Sequence, residues 1–370
     1  MRAGHTSHTS QYVAPLTGIR ALAAFLVLGL HADQNVPSGA SSLLPFLDRG
    51  YLGVDFFFVL SGFIITHVYL VSMARPNRRA ILIFFWHRFI RLYPVHVAVL
   101  AGLVAVFILA RTAGVSLNHT EDWRFANIPW HLTLLHAWGV TAKPGWNVPS
   151  WSISAEWFAY LLFPLLAPAL MWVRERAAAL WLAAAALTAT ALLFAVADWT
   201  LGGWVGAPAL TRVFGEFLCG AALCRAVALS PDRPRPSGDL LGAGAFAAFL
   251  IGAAADLGDN ADFALVVLLA LTILGAATSR GFLARILGSP PLVWLGEISY
   301  SIYMVRFPVL IVIRRFWEHV GFAQWETAGK AIAFLATIAL VVAIAAALFY
   351  LVERPARTRL RDRMGKLAPA

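Results

Sequence analysis

Residues 51–72 read YLGVDFFFVLSGFIITHVYLVS, and this stretch decides the fold. A bilayer's hydrocarbon core is about 30 Å thick, so a helix that rises about 1.5 Å per residue needs roughly 20 apolar residues to cross it. The stretch meets that length, and Asp55 and His67 interrupt its apolar character. We therefore interpret it as one membrane-spanning helix.

The composition of the whole chain points to the same solvent. Hydrophobic residues make up 60% of the 370 residues, and charged residues make up 13%. Soluble domains have roughly 45–50% apolar and about 25% charged residues. These values exclude an ordinary soluble enzyme and predict a protein embedded in a lipid bilayer.

Ten apolar stretches are long enough to span a membrane. They lie at 13–33, 51–72, 94–111, 151–173, 179–197, 205–228, 239–256, 262–279, 290–314 and 328–352. A shorter apolar segment near 129–139 is flanked by prolines, so we expect a short re-entrant or interfacial element there. The sequence thus predicts an all-α, polytopic integral membrane protein with about 10 transmembrane helices in a single domain, 1–370.

The distribution of basic residues predicts the orientation. With ten spans both termini lie on one side, and 19 of the 29 Lys and Arg residues fall on that side against 7 on the other. The positive-inside rule then makes the N-terminus (1–12) and the basic tail (353–370) cytoplasmic. This asymmetry explains the net charge of +10 without nucleic acid as a partner.

Ionisable side chains within the spans are the candidates for function, because each costs at least about 2.5–3.5 kcal/mol in hydrocarbon. They are Arg20, His31, Asp55, His67, Glu156, Arg212, Glu216, Glu297 and Arg306. Arg20 and His31 share nearly the same helix face and lie about 16 Å apart along it. A snorkelling arginine and a hydrogen-bonded core histidine would explain either residue alone. The pair on one face favours a functional pathway.

Three of these side chains are expected at one depth in the outer half of the membrane. His31 lies toward the outer end of the first span, Asp55 opens the second, and Glu156 lies near the start of the fourth. A histidine with a carboxylate neighbour is the minimum equipment for general-base activation of a hydroxyl. We therefore predict catalytic roles for the three, with an N-terminal helix cap as an equal alternative for Asp55.

Two further pairs contain arginine. Arg88 and Arg91 lie on one helix face at the predicted cytoplasmic surface, directly before Pro94, which suits a helix's first turn. Two guanidiniums so placed could hold a phosphate, or they could merely fix the topology. Arg212 and Glu216 are one turn apart in the sixth span, where a structural ion pair is the simplest interpretation.

Six short motifs in a fixed order give the chain its resemblance to a family. They are LTGIRALA at 16–23 followed by His31, GVDFFFVLSGF at 53–63, RFIRLYP at 88–94, WSISAE at 151–156, ISYSIY at 298–303 and ERP at 353–355. The chain resembles acyltransferase family three, whose membrane O-acyltransferases modify bacterial polysaccharides, lipopolysaccharide, peptidoglycan, Nod factors and some macrolides. The likeness covers nearly the whole chain.

The resemblance implies a donor, an acceptor and a location. The donor is cytoplasmic acyl-CoA, usually acetyl-CoA, and the acceptor is a hydroxyl of a saccharide-containing molecule such as an exopolysaccharide, lipopolysaccharide or glycolipid precursor. Arg20 and His31 would form the functional pair, and Arg88 and Arg91 would bind the CoA phosphates, with no metal. The location implied is the bacterial cytoplasmic (inner) membrane.

Two positions depart from the family pattern. Arg306 stands where many members have histidine, so we expect anion binding there instead of catalysis. His87 stands where many members have a second arginine, which weakens the phosphate site only slightly. The residues expected to bind substrate are Arg212, Glu216, Tyr300, Tyr303 and Arg306.

Two other functional classes stay open at this point. Ionisable residues within a membrane also mark transport paths, so a transporter or flippase of a saccharide or anionic solute is the alternative. The sequence has no evident internal repeat, which counts against that alternative. A membrane scaffold for a polysaccharide assembly complex is a weaker third option.

Overall fold

The computed structural model describes residues 6–36, 38–115, 117, 120, 123–230, 237–255, 257–258, 261–321 and 324–367, with side chains described within 14–361. The predicted N-terminal segment 1–12 and basic tail 353–370 therefore lie partly outside the described residues. Within these ranges every regular element is a helix. The predicted all-α class is confirmed.

The membrane-spanning helices follow the sequence prediction closely. Among the described residues, nine helices are long and apolar enough to cross a membrane, and Asp262–Thr278 is a shorter apolar helix. The ten are α1 Thr6–Asn35, α2 Gly53–Met73, α3 Arg78–Thr112, α4 Ser150–Trp172, α5 Arg176–Val196, α6 Ala207–Ala228, α7 Ser237–Ala254, α8 Asp262–Thr278, α9 Pro290–His319 and α10 Thr327–Leu348. A polytopic membrane protein is confirmed, with about ten spans.

Short elements connect the long helices. They are the helices Ala40–Leu43, Ile128–Leu132, Phe282–Leu287 and Arg354–Leu367, the 3-10 helices Pro45–Leu52 and Phe125–Asn127, and the π-helical turns His136–Val140 and Phe349–Glu353. The segment predicted near 129–139 is indeed too short to span a membrane. Its re-entrant or interfacial position stays a prediction.

Helix α3 begins earlier than the sequence predicts. The span was expected to start at Pro94, but α3 begins at Arg78, where the Asn77 side chain accepts a hydrogen bond of 2.8 Å from the Ala80 amide. Pro94 lies inside the helix and removes one helical N–H donor. The Tyr300 hydroxyl donates to the nearby Leu92 carbonyl at 2.6 Å. The helix therefore has a capped start and continues through the proline, and Tyr300 contributes an additional hydrogen bond at Leu92.

Helices α2 and α6 approach each other closely through glycine. A Cβ on Gly62 would lie 1.9 Å from the Phe217 carbonyl oxygen, and a Cβ on Gly220 would lie 1.8 Å from the Val59 carbonyl oxygen. Any larger residue would force the two backbones apart, as at other small-residue contacts between membrane helices. Helices α2 and α6 therefore form a closely packed pair within the bundle.

Candidate active site

Two cavities lie inside the bundle and share part of their lining. The inner cavity, defined by Arg20, Arg88 and Arg91, has a volume of about 150 Å³. The outer cavity, defined by His31 and Arg306, has a volume of about 1200 Å³. Their names follow the predicted orientation, because Arg20 lies nearer the N-terminal end of α1 and His31 nearer its other end. Val54 and Tyr303 line both cavities, so a thin layer of side chains divides them.

Arg91 is held at the inner cavity by the C-terminal part of the chain. Its guanidinium forms an ion pair with the buried carboxylate of Glu353 and lies 5.3 Å from the centre of the Tyr300 ring. Glu353 also accepts a hydrogen bond of 2.8 Å from the Ser301 hydroxyl. Part of the charge of Arg91 is therefore neutralised within the protein, and the motif ERP contacts RFIRLYP although the two lie far apart along the chain.

Arg88 keeps more of its donors for a ligand. One Nη donates to the Tyr69 hydroxyl at 3.2 Å, and the guanidinium lies 5.2 Å from the centre of the Tyr69 ring. Its Nε is buried and has no partner among the described residues. Arg20 lines the same cavity and experiences the positive charge of Arg91. The inner cavity therefore combines three guanidiniums in a small space that suits an anion.

Glu156 lies in the inner cavity with Arg20, and not in the outer cavity with His31. Its carboxylate accepts a hydrogen bond of 2.6 Å from the Tyr160 hydroxyl. The expected common depth with His31 is therefore wrong. The reason is that α4 starts inside the bundle, because Trp146 and Ser150 just before and at its start are fully buried. Glu156, about 9 Å further along the helix than Ser150, lies deeper still.

Asp55 on α2 forms an ion pair with Arg212 on α6. Its two carboxylate oxygens lie 2.7 and 2.5 Å from Nε and Nη2 of Arg212, and both side chains are buried. The other Nη of Arg212 donates to the Leu201 carbonyl at 2.8 Å. Glu216, the partner expected from helix spacing, lies farther away at 3.8 Å. The structure thus gives Asp55 an ion-pair partner instead of a place beside His31, and the N-cap of α2 is Leu52.

His31 has its tautomer set by the backbone of α1. Its Nδ1 lies 2.8 Å from the Val27 carbonyl oxygen, which can only accept, so Nδ1 carries the proton. The Nε2 atom is then left with its lone pair in a residue that lines the outer cavity. That is the protonation form that a general base needs before it accepts a proton from a hydroxyl.

Tyr303 and Arg306 form the part of α9 that faces the outer cavity. The Arg306 guanidinium lies 4.2 Å from the centre of the Tyr303 ring, and the Tyr303 hydroxyl donates to the Pro149 carbonyl at 3.1 Å. Arg306 is 4% exposed, and its Nε is buried without a partner among the described residues. Of the residues expected to bind substrate, Arg212, Tyr303 and Arg306 line the outer cavity, while Tyr300 lines the inner one. Glu216 lies behind Arg212 and lines neither of the two.

A cluster of three buried histidines was missed by sequence reasoning. His96, His131 and His136 are all fully buried, and the rings of His131 and His136 are stacked with centroids 4.0 Å apart. The Ser150 hydroxyl lies 2.9 Å from Nε2 of His136. Burial, with a smaller effect of His96, lowers the pKa of His131 to about 3, and burial also holds the pKa of His136 well below its usual value. Repeated histidine in apolar surroundings between 95 and 138 was the available signal.

Because burial lowers their pKa values, the His131 and His136 rings are neutral at ordinary pH. The rings of the three histidines are nearly parallel, with interplanar angles of 22°, 3° and 20°. Over the part of the chain that the structure describes, no group of three or more His, Cys, Asp or Glu is placed to hold a metal ion. The histidines instead pack the segment before α4 into the bundle.

Comparisons with known proteins agree over most of the chain. A family profile described as an acyltransferase domain matches residues 14–350. Acyltransferase MdmB of Streptomyces mycarofaciens is 28% identical over 96% of this chain and 94% of its own length. Peptidoglycan O-acetyltransferase OatA of Listeria monocytogenes is 28% identical over 82% of this chain and 50% of its own length.

A further relative shows the same pattern of coverage. O-acetyltransferase OatA of Staphylococcus aureus is 23% identical over 84% of this chain and 52% of its own length. The chain thus spans about half the length of the two OatA proteins and nearly all of MdmB. No solved structure matches the chain.

Proposed function

Because the chain belongs to the family of acyltransferase domains, we propose that it moves an acyl group, in the first instance acetyl, from cytoplasmic acyl-CoA to a hydroxyl of a saccharide-containing acceptor. Family membership makes it a membrane-bound acyltransferase of groups other than aminoacyl groups. The donor, the acceptor, the inner-membrane location and the cytoplasmic termini belong to the proposal.

The observation that carries the proposal is the state of His31. Its Nδ1 proton is used on the Val27 carbonyl, so Nε2 is free to accept the proton of an acceptor hydroxyl in the outer cavity. The hydroxyl oxygen attacks the thioester carbonyl, and the carbon–sulfur bond breaks as the new ester bond forms. The proton held by His31 then passes to the departing thiolate, which regenerates the base.

The inner cavity supports an anionic donor that enters by its acyl end. At about 150 Å³ it is smaller than the roughly 300–1000 Å³ of ordinary ligand pockets, so it suits a narrow arm and not a whole nucleotide. The Arg88 guanidinium forms one hydrogen bond, to Tyr69, and both Arg88 and Arg91 are partly exposed. We infer that Arg88 and Arg91 bind phosphate oxygens while Arg20 guides the thioester toward the layer at Tyr303.

The outer cavity supports a large acceptor. Its volume of about 1200 Å³ exceeds that of an ordinary pocket for a small molecule. Trp151, Trp199 and Trp204 line it together with hydrogen-bonding side chains such as Gln34. Aromatic faces and polar groups together suit a saccharide, which has both apolar ring faces and hydroxyls.

Glu156 serves on the donor side, where it can act on Arg20 through its charge.

Reconstitution in liposomes tests the proposal. Purified protein receives labelled acetyl-CoA on one face of the vesicle and a mixture of bacterial envelope glycans on the other. We expect acetyl ester on the glycans when the donor faces the inner cavity, and no product when the donor faces the outer cavity. Glycan transport without acyl transfer would instead support the transporter. Mass spectrometry of glycans and lipids from cells with and without the gene then identifies the acceptor by a lost acyl mass.

A further inference from the structure

Two buried arginines line the outer cavity, and they differ in what they bind. Arg212 directs Nε and Nη2 at Asp55 and its other Nη at a backbone carbonyl. Arg306 has one hydrogen bond to the carbonyl of Tyr303 on its own helix and rests against the Tyr303 ring. All three guanidinium nitrogens of Arg212 are bound by the protein, whereas only one guanidinium nitrogen of Arg306 has a partner among the described residues.

The electrostatic environment of Arg306 lacks a counterion. Among the described residues no carboxylate lies within ion-pair distance of it, and its Nε is a buried donor without a partner. Two acidic residues line the same cavity. Asp262 is bound by Arg49 and Tyr51, and Asp198 is exposed and is not paired with Arg306. Burying a guanidinium without a counterion is costly, so such a residue is retained where a ligand supplies the negative charge.

We propose that the outer cavity takes an acceptor that carries an anionic group, a carboxylate or a phosphate ester, and that Arg306 binds this group. That the ligand is an acceptor rests on the proposed function; that it is anionic rests on Arg306 alone. The arginine fork would form paired hydrogen bonds with two oxygens of the anion. His31 lines the same cavity and experiences the charge of Arg306, so the bound anion would fix the ring of the acceptor near the base.

The size of the cavity favours an anionic sugar over a small free anion. A volume of about 1200 Å³ would leave inorganic phosphate largely surrounded by water, which weakens its attraction to one guanidinium. A sugar ring stacked on the tryptophans of the cavity would exclude that water. The anionic group and the ring therefore act together, and neither alone should bind tightly.

Equilibrium binding to protein in lipid nanodiscs tests this proposal. The probes are methyl β-glucuronide, which carries a carboxylate, glucose 6-phosphate, which carries a phosphate ester, and neutral methyl β-glucoside. We expect one or both charged sugars to bind at least tenfold more tightly than the neutral one. A preference for the glucuronide identifies a carboxylate acceptor, and a preference for the phosphate identifies a phosphate ester.

The variants Arg306→Gln and Arg306→Lys assign the preference to this side chain. Arg306→Gln should abolish the preference, and Arg306→Lys should retain part of it because the charge remains while the fork is lost. The matched control is Arg314→Gln on the same helix, whose side chain is 39% exposed and paired with Glu318. It should leave the preference unchanged.

Several outcomes would overturn the proposal. They are equal binding of charged and neutral sugars, no binding of either charged sugar, or a preference that survives in Arg306→Gln. Should Arg306→Gln fail to fold, Arg306→Lys still decides, because an unchanged preference for a carboxylate there would exclude a fork-type site. The binding assay needs no acyl transfer, so an inactive protein with an intact preference would disprove the proposed function and leave the anion site standing.

Discussion

The inner and outer cavities both place arginine inside a membrane protein, but they neutralise it in different ways. Beside the inner cavity, Arg91 shares Glu353 with Arg357, so two positive charges compete for one buried carboxylate. In the outer cavity, Arg212 pairs closely with Asp55 and has Glu216 3.8 Å away, and Arg306 forms no ion pair with a described carboxylate. The comparison indicates that a close carboxylate partner, more than the degree of burial, distinguishes an arginine that stabilises the fold from one that is available to a ligand.

The largest expected effect comes from the base of the outer cavity. His31→Ala should lower the rate of acyl transfer by roughly 10²–10⁴-fold, since a general base contributes about that much. Acyl-CoA binding should persist, because the inner cavity is untouched. The measurements are product formation and donor binding in nanodiscs, with exposed His319→Ala as the control. Near-native turnover would show that His31 is not the general base. The assignment of the base to the outer cavity would then be wrong.

The second effect tests whether Asp55 is structural. Asp55→Asn leaves the buried Arg212 with Glu216, 3.8 Å away, in place of its close partner, so the free energy of unfolding should fall by about 3 kcal/mol. Chemical denaturation of the purified protein measures it. Glu318→Gln is the control, because its pair with Arg314 is about half exposed and worth about 1 kcal/mol or less. An equally stable Asp55→Asn protein with no activity would restore a catalytic role to Asp55.

The two cavities were predictable from sequence to different degrees. The spans, and the separation of Arg88 and Arg91 from His31 into different cavities, follow from apolar length and helix direction. The pair Asp55–Arg212 does not, because its members are 157 positions apart and local spacing favours Glu216 as the partner. The depth of Glu156 does not follow from the sequence for a related reason. The start of α4 is buried inside the bundle, and apolar length alone does not show this.

The third effect concerns the loss of folding stability in acid. It arises from His131 and not from the proposed base, His31. His131 has a pKa of about 3 in the folded protein and about 6.5 when unfolded, so the unfolded state binds more protons below about pH 6.5. Stability should therefore fall as the pH drops from about 6.5 toward 3. At about pH 5 the loss from this residue is about 2 kcal/mol.

Melting temperatures at about pH 7 and about pH 5 check this expectation. His131→Asn should lose less stability on acidification than the unaltered protein, because its side chain does not titrate. His96 and His136 contact the same group of rings, so some acid sensitivity remains in the variant. Equal acid sensitivity in the two proteins would show that His131 takes up protons in the folded state.

The fourth effect sharpens the assignment of the inner cavity to the donor. Arg88→Lys keeps the charge but loses the planar fork, so the KM for acyl-CoA should rise about tenfold while the KM for the acceptor stays the same. Steady-state kinetics with each substrate varied in turn measures this. Arg91→Lys should also destabilise the protein, since Arg91 pairs with Glu353. A donor KM at the native value in Arg88→Lys would mean that Arg88 only fixes topology.

The smallest effect concerns the residue common to both cavities. Tyr303→Phe removes the hydrogen bond to the Pro149 carbonyl and keeps the ring, so stability should fall by about 1 kcal/mol and transfer should continue. Thermal unfolding and a transfer assay measure the two. A complete loss of transfer would show that the hydroxyl takes part in the reaction.

The histidine cluster shows why part of the interior could not be read from the sequence. His131 and His136 belong to a segment too short to span, and a short apolar run has no period that distinguishes a surface element from a buried one. Only the packing of that run against α3, through the hydrogen bond from His96 to the His131 carbonyl at 2.9 Å, places it inside.

The layer formed by Val54 and Tyr303 has an electrical consequence. A membrane that stores energy as an ion gradient is discharged by a water-filled path that conducts ions or protons across it. With a tyrosine ring and an aliphatic side chain between the two cavities, the proposed transfer of an acyl group would not require such a path. We therefore expect the protein to act as an insulator during catalysis, with ions retained on both sides even though a chemical group changes sides.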